Sequence, residues 1–149
     1  IYGEVNFKNI AIGIIPIDED GYTWRVGQFR FPINKYSWEI PEGGGPIGIN
    51  PLESAKRELQ EEVGYTAKQW SEFLQLDLSN SVTNERAIVF LAESLTFIGT
   101  SHEDTENIRL ERLHFSTLYQ QVLNGLITDS ISVAAVLKLA LLRPEFLEI

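Results

Sequence analysis

One helix with a marked beginning and a marked end stands in the middle of the chain. Asn50 is a favourable N-cap, and Pro51 occupies the first helical position, where a missing N–H costs nothing. Gly64 is the expected left-handed terminator. Between these marks the apolar residues repeat at about 100° per residue and form one stripe: Leu52, Ala55, Leu59 and Val63. The pattern predicts an amphipathic helix whose stripe faces a core.

Three glutamates crowd the last turn of this helix. Glu58 and Glu62 are four residues apart and therefore stand side by side, and Glu61 lies further round. Like charges at this spacing cost an isolated helix roughly 0.2–0.5 kcal/mol per pair. A divalent cation would offset the repulsion, and a solvated acidic face with basic neighbours is the alternative. The glycine run at residues 43–45 permits close backbone approach and favours the metal site.

The segment at residues 43–65 resembles the Nudix box, the signature of Nudix hydrolases, written GX5EX7REUXEEXGU with U an aliphatic residue. Residues 57–64, RELQEEVG, match its second half without a gap. Ile49 stands where the pattern has its first glutamate, and Tyr65 stands at the final U. The resemblance implies the Nudix fold, an α/β/α sandwich with a mixed sheet, and metal binding by the glutamates of REUXEE.

The resemblance extends beyond the box. Residues 26–32, VGQFRFP, and residues 38–43, WEIPEG, are similar to the ADP-ribose pyrophosphatase branch of the family. Residues 106–110 and 125–130 resemble the catalytic loop and C-terminal helix of that branch. We therefore expect a single domain over residues 1–149, an incomplete N-terminal segment and a homodimer.

The first choices for metal ligands are Glu58 and Glu62, followed by Glu61. By resemblance, a backbone carbonyl of Glu42 or Gly43 is a further ligand. Mg²⁺ binds through a few carboxylates and keeps several waters for substrate phosphates. We therefore expect Mg²⁺ as the cofactor, with Mn²⁺ as the alternative ion.

A water molecule that attacks phosphorus needs a general base. Glu106 best matches the glutamate of the family's catalytic loop, and Glu103 is the second candidate. Glu61, on the acidic helix edge, completes the catalytic candidates. A solvated acidic loop is the alternative interpretation of Glu103 and Glu106.

The substrate-binding candidates are Arg30, Trp38, Glu39, Gly43 and Gly44. By resemblance, Arg30 points at a phosphate or at the terminal ribose, while Glu39 contacts substrate or steadies the glycine loop. Trp38 competes with Trp24 and Phe31 for stacking a base. We expect at most one of these three rings to do so, because aromatic residues on strands more often pack in the core.

Composition excludes several classes of function. The chain has 149 residues, a net charge of −9 and no basic cluster, which argues against binding to a nucleic-acid backbone. It has no cysteine, so disulfides and zinc–thiolate sites are excluded. No apolar run approaches a membrane span and no signal peptide is visible, so we expect a cytoplasmic protein without a membrane partner.

The remaining pattern predicts strands at residues 10–17, 22–29, 36–40, 87–95 and 108–115, and helices at residues 116–124 and 129–142. The first two strands are expected to form a hairpin around the turn at residues 18–21. Residues 70–78 fit a strand or a helix-to-strand connection. Ser116 is the expected N-cap of one helix, and Asp129 or Ser130 of the other.

The leading function is Mg²⁺-dependent hydrolysis of a nucleoside diphosphate linked to a second moiety, with ADP-ribose, giving AMP and ribose 5-phosphate, as the first candidate. Residues 79–85 lack the proline that typical ADP-ribose enzymes carry after the box, so another nucleoside diphosphate sugar stays open. Ile49 favours one alternative, a non-catalytic nucleotide-sugar sensor. A second alternative is a house-cleaning pyrophosphohydrolase of nucleoside triphosphates.

Overall fold

The computed structural model describes residues 3–99 and 107–149, over which the chain forms seven strands and three α-helices. In chain order these are β1 (Asn9–Pro16), β2 (Tyr22–Arg30), β3 (Lys35–Glu39), β4 (Glu42–Pro46), α1 (Pro51–Glu58), β5 (Tyr65–Asp77), β6 (Arg86–Phe97), β7 (Arg109–His114), α2 (Phe115–Leu123) and α3 (Ser130–Leu142). No helix in this described part combines the length and the apolar character that crossing a membrane requires.

The strands divide into two sheets. The larger has the order β4-β1-β6-β5; β1 and β6 are parallel and the other neighbours antiparallel, so this sheet is mixed, as predicted. The smaller sheet, β3-β2-β7, is antiparallel. The predicted hairpin of β1 with β2 is therefore wrong. Its turn exists, with Gly21 N–H donating to the Asp18 carbonyl at 3.1 Å, but it leads from one sheet to the other.

Strand β1 does not pair with β2 in a hairpin because β1 is apolar on both faces. Strands of this kind are stable only with cover on both sides. On one face Ile12 and Ile14 pack with the α1 stripe, where Leu59 is fully buried. On the other face Ile15 packs in a cluster with residues of α2 and α3 such as Leu139. The larger sheet thus lies between two helical layers, as in the predicted α/β/α sandwich.

The central helix begins and ends where the sequence predicts. Asn50 Oδ1 accepts the Leu52 N–H at 3.0 Å, and Gly64 has a φ of 83°. Its final turn, Leu59–Val63, is π-helical, which the sequence did not predict. Such wide turns are rare and often lie at functional sites. This one rotates the last two glutamates relative to the position they would have in an uninterrupted α-helix.

The two remaining helices differ in how well their caps were predicted. Asp129 caps α3, since its Oδ2 accepts the Ser132 N–H at 3.1 Å. For α2 the prediction of Ser116 as N-cap is wrong, because His114 Nδ1 accepts the Ser116 N–H at 3.1 Å. The extended backbone of His114 at the end of β7 allows its ring to turn back to the helix. Of residues 70–78, for which the sequence left a strand or a connection open, those up to Asp77 lie within β5.

Candidate functional site

Strand β4 carries the glycine run along the edge of the larger sheet, next to α1. It is antiparallel to β1, and Gly43 is paired with Ile12. A Cβ built on Gly43 would lie 2.2 Å from Glu58 Cδ and 2.5 Å from both of its carboxylate oxygens. The Glu58 carboxylate therefore lies directly against the Gly43 backbone. A side chain at position 43 would compete with that carboxylate for the same space, which explains the glycine.

Arg57 connects the glycine strand with the acidic helix edge. Its Nη2 donates to the Gly44 carbonyl at 3.2 Å and lies 3.7 Å from Glu58 Oε1. Its Nε lies 3.9 Å from Glu61 Oε1. The Glu58 side chain is 13% exposed, whereas that of Glu61 is 46% exposed. These contacts give Arg57 an orienting role toward both carboxylates.

A cleft of about 800 Å³ opens beside this edge; we call it the first cleft. Its lining includes the acidic residues Glu42 and Glu62, the cation Arg30, and the aromatic residues Phe29, Phe31 and Tyr36. The ring of Phe31 is 85% exposed and meets the ring of Phe29 edge-on at a centroid distance of 5.1 Å. A ligand with an anionic part and a flat aromatic part would find a matching surface for each in this cleft.

Arg30 is held in the first cleft by Glu39. Its Nε donates to Glu39 Oε2 at 3.0 Å and its Nη2 to Oε1 at 2.7 Å, while Ser37 Oγ donates to Oε2 at 2.7 Å. The Glu39 carboxylate raises the pKa of the Arg30 guanidinium. Two parallel hydrogen bonds fix the plane of a guanidinium. Glu39 thus acts on the site through Arg30, a role that was not predicted from the sequence.

The side chain of Glu42 reaches toward the start of α3, on the face of the strand opposite to that of Gly43. Ser132 Oγ lies 3.2 Å from Glu42 Oε2 and 2.8 Å from Asp129 Oδ2. Ser132 Oγ also accepts the Ile40 N–H at 2.9 Å. Because Ser132 is fully buried, this group ties the start of α3 to the segment that enters the glycine run.

Burial, together with the hydrogen bond and negative charge of Asp129, raises the pKa of Glu42 well above its ordinary value. The folded protein therefore holds this proton more tightly than the unfolded chain. The contribution of protonated Glu42 to the free energy of unfolding is fully present below the ordinary glutamate pKa. It is lost as pH rises through the folded-state pKa.

We expect the unfolding free energy of the native chain to fall with rising pH in this window more steeply than that of a Glu42→Gln variant, whose amide does not ionise. Urea unfolding at several values between about pH 5 and pH 8 measures both slopes. Glu53→Gln, at an exposed position on α1, is the control and should keep the native slope. Parallel curves for native chain and Glu42→Gln would contradict the assignment.

The predicted metal ligands are only partly brought together. Among the described residues, the group of three carboxyl residues whose oxygens lie within 4.8 Å of one another is Glu39, Glu42 and Asp129. That group is already compensated by Arg30 and by the hydrogen bonds of Ser132, so we do not assign the metal there.

Glu58, Glu61 and Glu62 do not form such a close group. Mg²⁺ does not need one, since it binds through one or two carboxylates and retains its waters. The oxygen-only donors of this helix edge, beside the Gly43 backbone, fit Mg²⁺ or Mn²⁺.

Two predicted catalytic residues, Glu103 and Glu106, lie outside the described residues. Asn107 and Ile108, which follow directly in sequence, line the first cleft. Gly44 takes part through its carbonyl, which accepts from Arg57.

The structure separates the three aromatic residues that the sequence offered for stacking. Trp24 is 5% exposed and belongs to the core on the α1 side. Trp38 packs under Arg25, whose Cζ lies 3.7 Å from the ring centroid, and the structure does not place it in the first cleft. Phe31 does line the cleft, together with Phe29 and Tyr36, which were not predicted. These last two are register partners across β2 and β3.

Comparison with known proteins gives a consistent result. Residues 8–124 match the family model described as the NUDIX domain. An ADP-ribose pyrophosphatase from Mycobacterium tuberculosis is 32% identical over 130 residues, which cover 85% of this chain and 63% of that protein. A second ADP-ribose pyrophosphatase, from Bacillus subtilis, is 35% identical over 97 residues, which cover 65% of this chain and 52% of that protein. The chain thus spans between half and two thirds of the length of these relatives.

A solved structure described as an ADP compounds hydrolase superimposes with a TM-score of 0.82. The match covers 94% of this chain and 75% of that one, at 19% sequence identity. At this identity the likeness concerns the fold, which agrees with the predicted α/β architecture.

Proposed function

The chain belongs to the NUDIX domain family, and on that basis we propose that it hydrolyses the pyrophosphate bond of a nucleoside diphosphate linked to a second moiety, with ADP-ribose as the first candidate. The observation that carries the proposal is the contact of the Glu58 carboxylate with the Gly43 backbone beside the first cleft. This contact keeps the carboxylate oxygens of Glu58 beside the cleft in which a diphosphate would bind.

In this proposal Glu58 and Glu62 hold Mg²⁺ or Mn²⁺, with Glu61 and the Glu42 or Gly43 carbonyl as further ligands. When bound, such an ion polarises a phosphoryl oxygen and lowers the pKa of a bound water. Arg30, fixed by Glu39, donates the N–H groups that Glu39 does not occupy to a substrate phosphate in the first cleft.

The exposed rings of Phe29 and Phe31 offer a surface on which a base can stack. Glu106 remains the first candidate for the general base, and Glu103 the second. The names of the two relatives, both ADP-ribose pyrophosphatases, support ADP-ribose as the substrate to test first.

The test is a substrate panel with Mg²⁺ and with Mn²⁺, analysed by nucleotide chromatography. We expect AMP and ribose 5-phosphate from ADP-ribose, at a rate that a chelator abolishes. Release of pyrophosphate from nucleoside triphosphates, without cleavage of any diphosphate compound, would overturn the proposal in favour of a house-cleaning enzyme.

A nucleotide-sugar sensor is a second candidate, and one observation favours it. Ile49, at the place of the first box glutamate, lies 49% exposed in the turn between β4 and α1 and brings no carboxylate to the edge. Calorimetry that shows tight nucleotide binding, with no hydrolysis across the same panel, would select the sensor.

We further propose that the protein is a cytoplasmic homodimer and that it binds no nucleic acid. The net charge of −9 supports the last point, since a phosphate backbone would be repelled. Light scattering coupled to size-exclusion chromatography measures the oligomeric state.

A further inference from the structure

A separate cleft of about 430 Å³ lies between α1, with its π-helical turn, and the first part of β5; we call it the outer cleft. Within the described part of the chain it shares no lining residue with the first cleft, and it is about half as large. Its volume lies in the range of about 300–1,000 Å³ in which proteins bind small molecules. A ligand in the outer cleft would leave the first cleft free for a substrate.

The charges that line the outer cleft favour an anion with a single negative charge. The cations Lys56 and Arg57 are opposed by the carboxylate of Glu53. Lys56 Nζ lies 3.7 Å from Glu53 Oε1, so these two charges compensate each other and Arg57 remains as the surplus cation. Because the chain as a whole has a net charge of −9, its field opposes the approach of ligands with several negative charges. The outer cleft therefore suits a carboxylate better than a phosphate ester.

An indole ring and two polar side chains complete the outer cleft. Trp70 Nε1 donates to the Ala67 carbonyl at 3.1 Å, so the ring offers a ligand its apolar surface. Trp70 is half-buried and packs against the core on the α1 side, which holds the ring in place. Gln60 and Thr66 are exposed and supply an amide and a hydroxyl group. A planar ring bearing one carboxylate can stack on the indole and accept two parallel hydrogen bonds from Arg57.

Arg57 connects the outer cleft with the acidic helix edge. Its side chain is 48% exposed and lies 3.7 Å from Glu58 and 3.9 Å from Glu61, which is longer than a hydrogen bond. A guanidinium also carries more N–H donors than the bond to the Gly44 carbonyl uses. A carboxylate in the outer cleft would therefore draw the charge of Arg57 toward itself, and it would leave the two glutamates less compensated.

We propose that the outer cleft is an effector site for an aromatic carboxylate, and that Arg57 couples this site to the acidic helix edge. Once the anion neutralises Arg57, a divalent cation at the edge has one cation fewer to compete with. The anion thus strengthens metal binding, and the metal strengthens anion binding by the same factor. An exposed ion pair sets the size of the coupling, which is about threefold. The coupling rests on the metal assignment of the proposed function, whereas the anion site does not.

NMR of the three indole N–H groups in ¹⁵N-labelled protein locates a bound probe, for which we choose 2-naphthoate. We expect the Trp70 signal, identified as the one that Trp70→Phe removes, to shift as the probe is added. The signals of Trp24 and Trp38, which lie outside the outer cleft, should stay in place. AMP, whose phosphate carries up to two negative charges, should shift the Trp70 signal only at concentrations about tenfold higher.

Variants of the lining test which groups hold the probe. Arg57→Gln removes the cation and Thr66→Glu adds a negative charge, so each should weaken the binding of naphthoate roughly tenfold. Lys138→Ala, at an exposed lysine of α3, is the matched control and should bind as the native chain does. Thr66 and Arg57 are both exposed, so folding should be preserved, and circular dichroism checks this.

Titration of Mn²⁺ with and without naphthoate, followed by the electron spin resonance of the free ion, measures the coupling. We expect an affinity about threefold higher in the presence of naphthoate, and no such difference in Arg57→Gln. Equal or lower Mn²⁺ affinity in the presence of naphthoate would refute the coupling.

Three results would overturn the anion site itself. One is a Trp70 signal that does not move, and another is tighter binding of AMP than of naphthoate. The third is binding that Arg30→Gln abolishes and Arg57→Gln preserves, which would place the probe in the first cleft. AMP release from ADP-ribose tests the hydrolase separately. Its absence would refute the proposed function and leave a naphthoate-dependent shift of Trp70 standing.

Discussion

A Glu62→Gln variant is expected to release AMP from ADP-ribose about 1,000-fold more slowly than the native chain. The glutamine side chain has nearly the same shape but no charge, so a divalent ion at the helix edge loses a ligand whose charge opposes its own. A factor of this size corresponds to about 4 kcal/mol of lost transition-state stabilisation. The fold should remain, because Glu62 is not part of the apolar stripe that packs in the core. Turnover measured at saturating Mg²⁺ gives the result.

Glu53→Gln provides the matched control on the same helix. Its side chain is 64% exposed, and its carboxylate lies 3.7 Å from Lys56 Nζ, a surface ion pair of small energetic weight. We expect native turnover in this variant. Titration of Mn²⁺ should show weakened binding in Glu62→Gln and native binding in Glu53→Gln. Near-normal turnover of Glu62→Gln would refute the metal assignment.

A Gly43→Ala variant should lower turnover by roughly 100-fold or more while the fold persists. The added methyl group would lie 2.2 Å from Glu58 Cδ, so the carboxylate must leave its position. The carboxylate is the end of a flexible side chain and can move away, which keeps the structural cost small. Loss of a preorganised group at a reacting centre typically costs a factor of about 100 to 1,000. Kinetics and urea unfolding on the same preparation separate the two effects.

Gly44→Ala is the natural comparison, since a Cβ there would find its nearest atom, Asn9 Cβ, at 3.8 Å. Its effect on turnover should be much smaller. A double-mutant cycle with Glu58→Gln sharpens the test. If Gly43 acts through the Glu58 carboxylate, adding Gly43→Ala to Glu58→Gln should cost little more than Glu58→Gln alone. Full additivity of the two effects would show that Gly43 serves another purpose.

Features that depend on neighbouring residues could be predicted from the sequence. The cap at Asn50, the terminator at Gly64 and the buried stripe of α1 follow from local hydrogen bonding and helical periodicity, and all three are found. The division into two sheets could not be predicted in this way. It depends on which strands β1 meets, and its partner β6 begins some seventy residues later.

The same distinction applies to the candidate site. The close approach of Gly43 to the glutamates follows from a motif of fixed spacing. The contact of Ser132 with Glu42 spans 90 residues, and no local pattern connects them. The cleft aromatics Phe29 and Tyr36 were missed because only the register of β2 with β3 places them next to each other. The alternation of Tyr36 and Trp38 on the edge strand β3 is the signal that could have indicated Tyr36.

The π-helical turn at Leu59–Val63 has a consequence for how this acidic edge can vary. The Gly64 N–H donates to the carbonyl of Leu59, five residues back, as well as to that of Gln60, so the last turn contains one residue more than a regular turn would. Loss of a single residue there would let the helix close with standard geometry, yet it would swing the following carboxylates away from Glu58. Deletion of one residue from this turn should therefore lower activity even where a substitution of the exposed Gln60 does not.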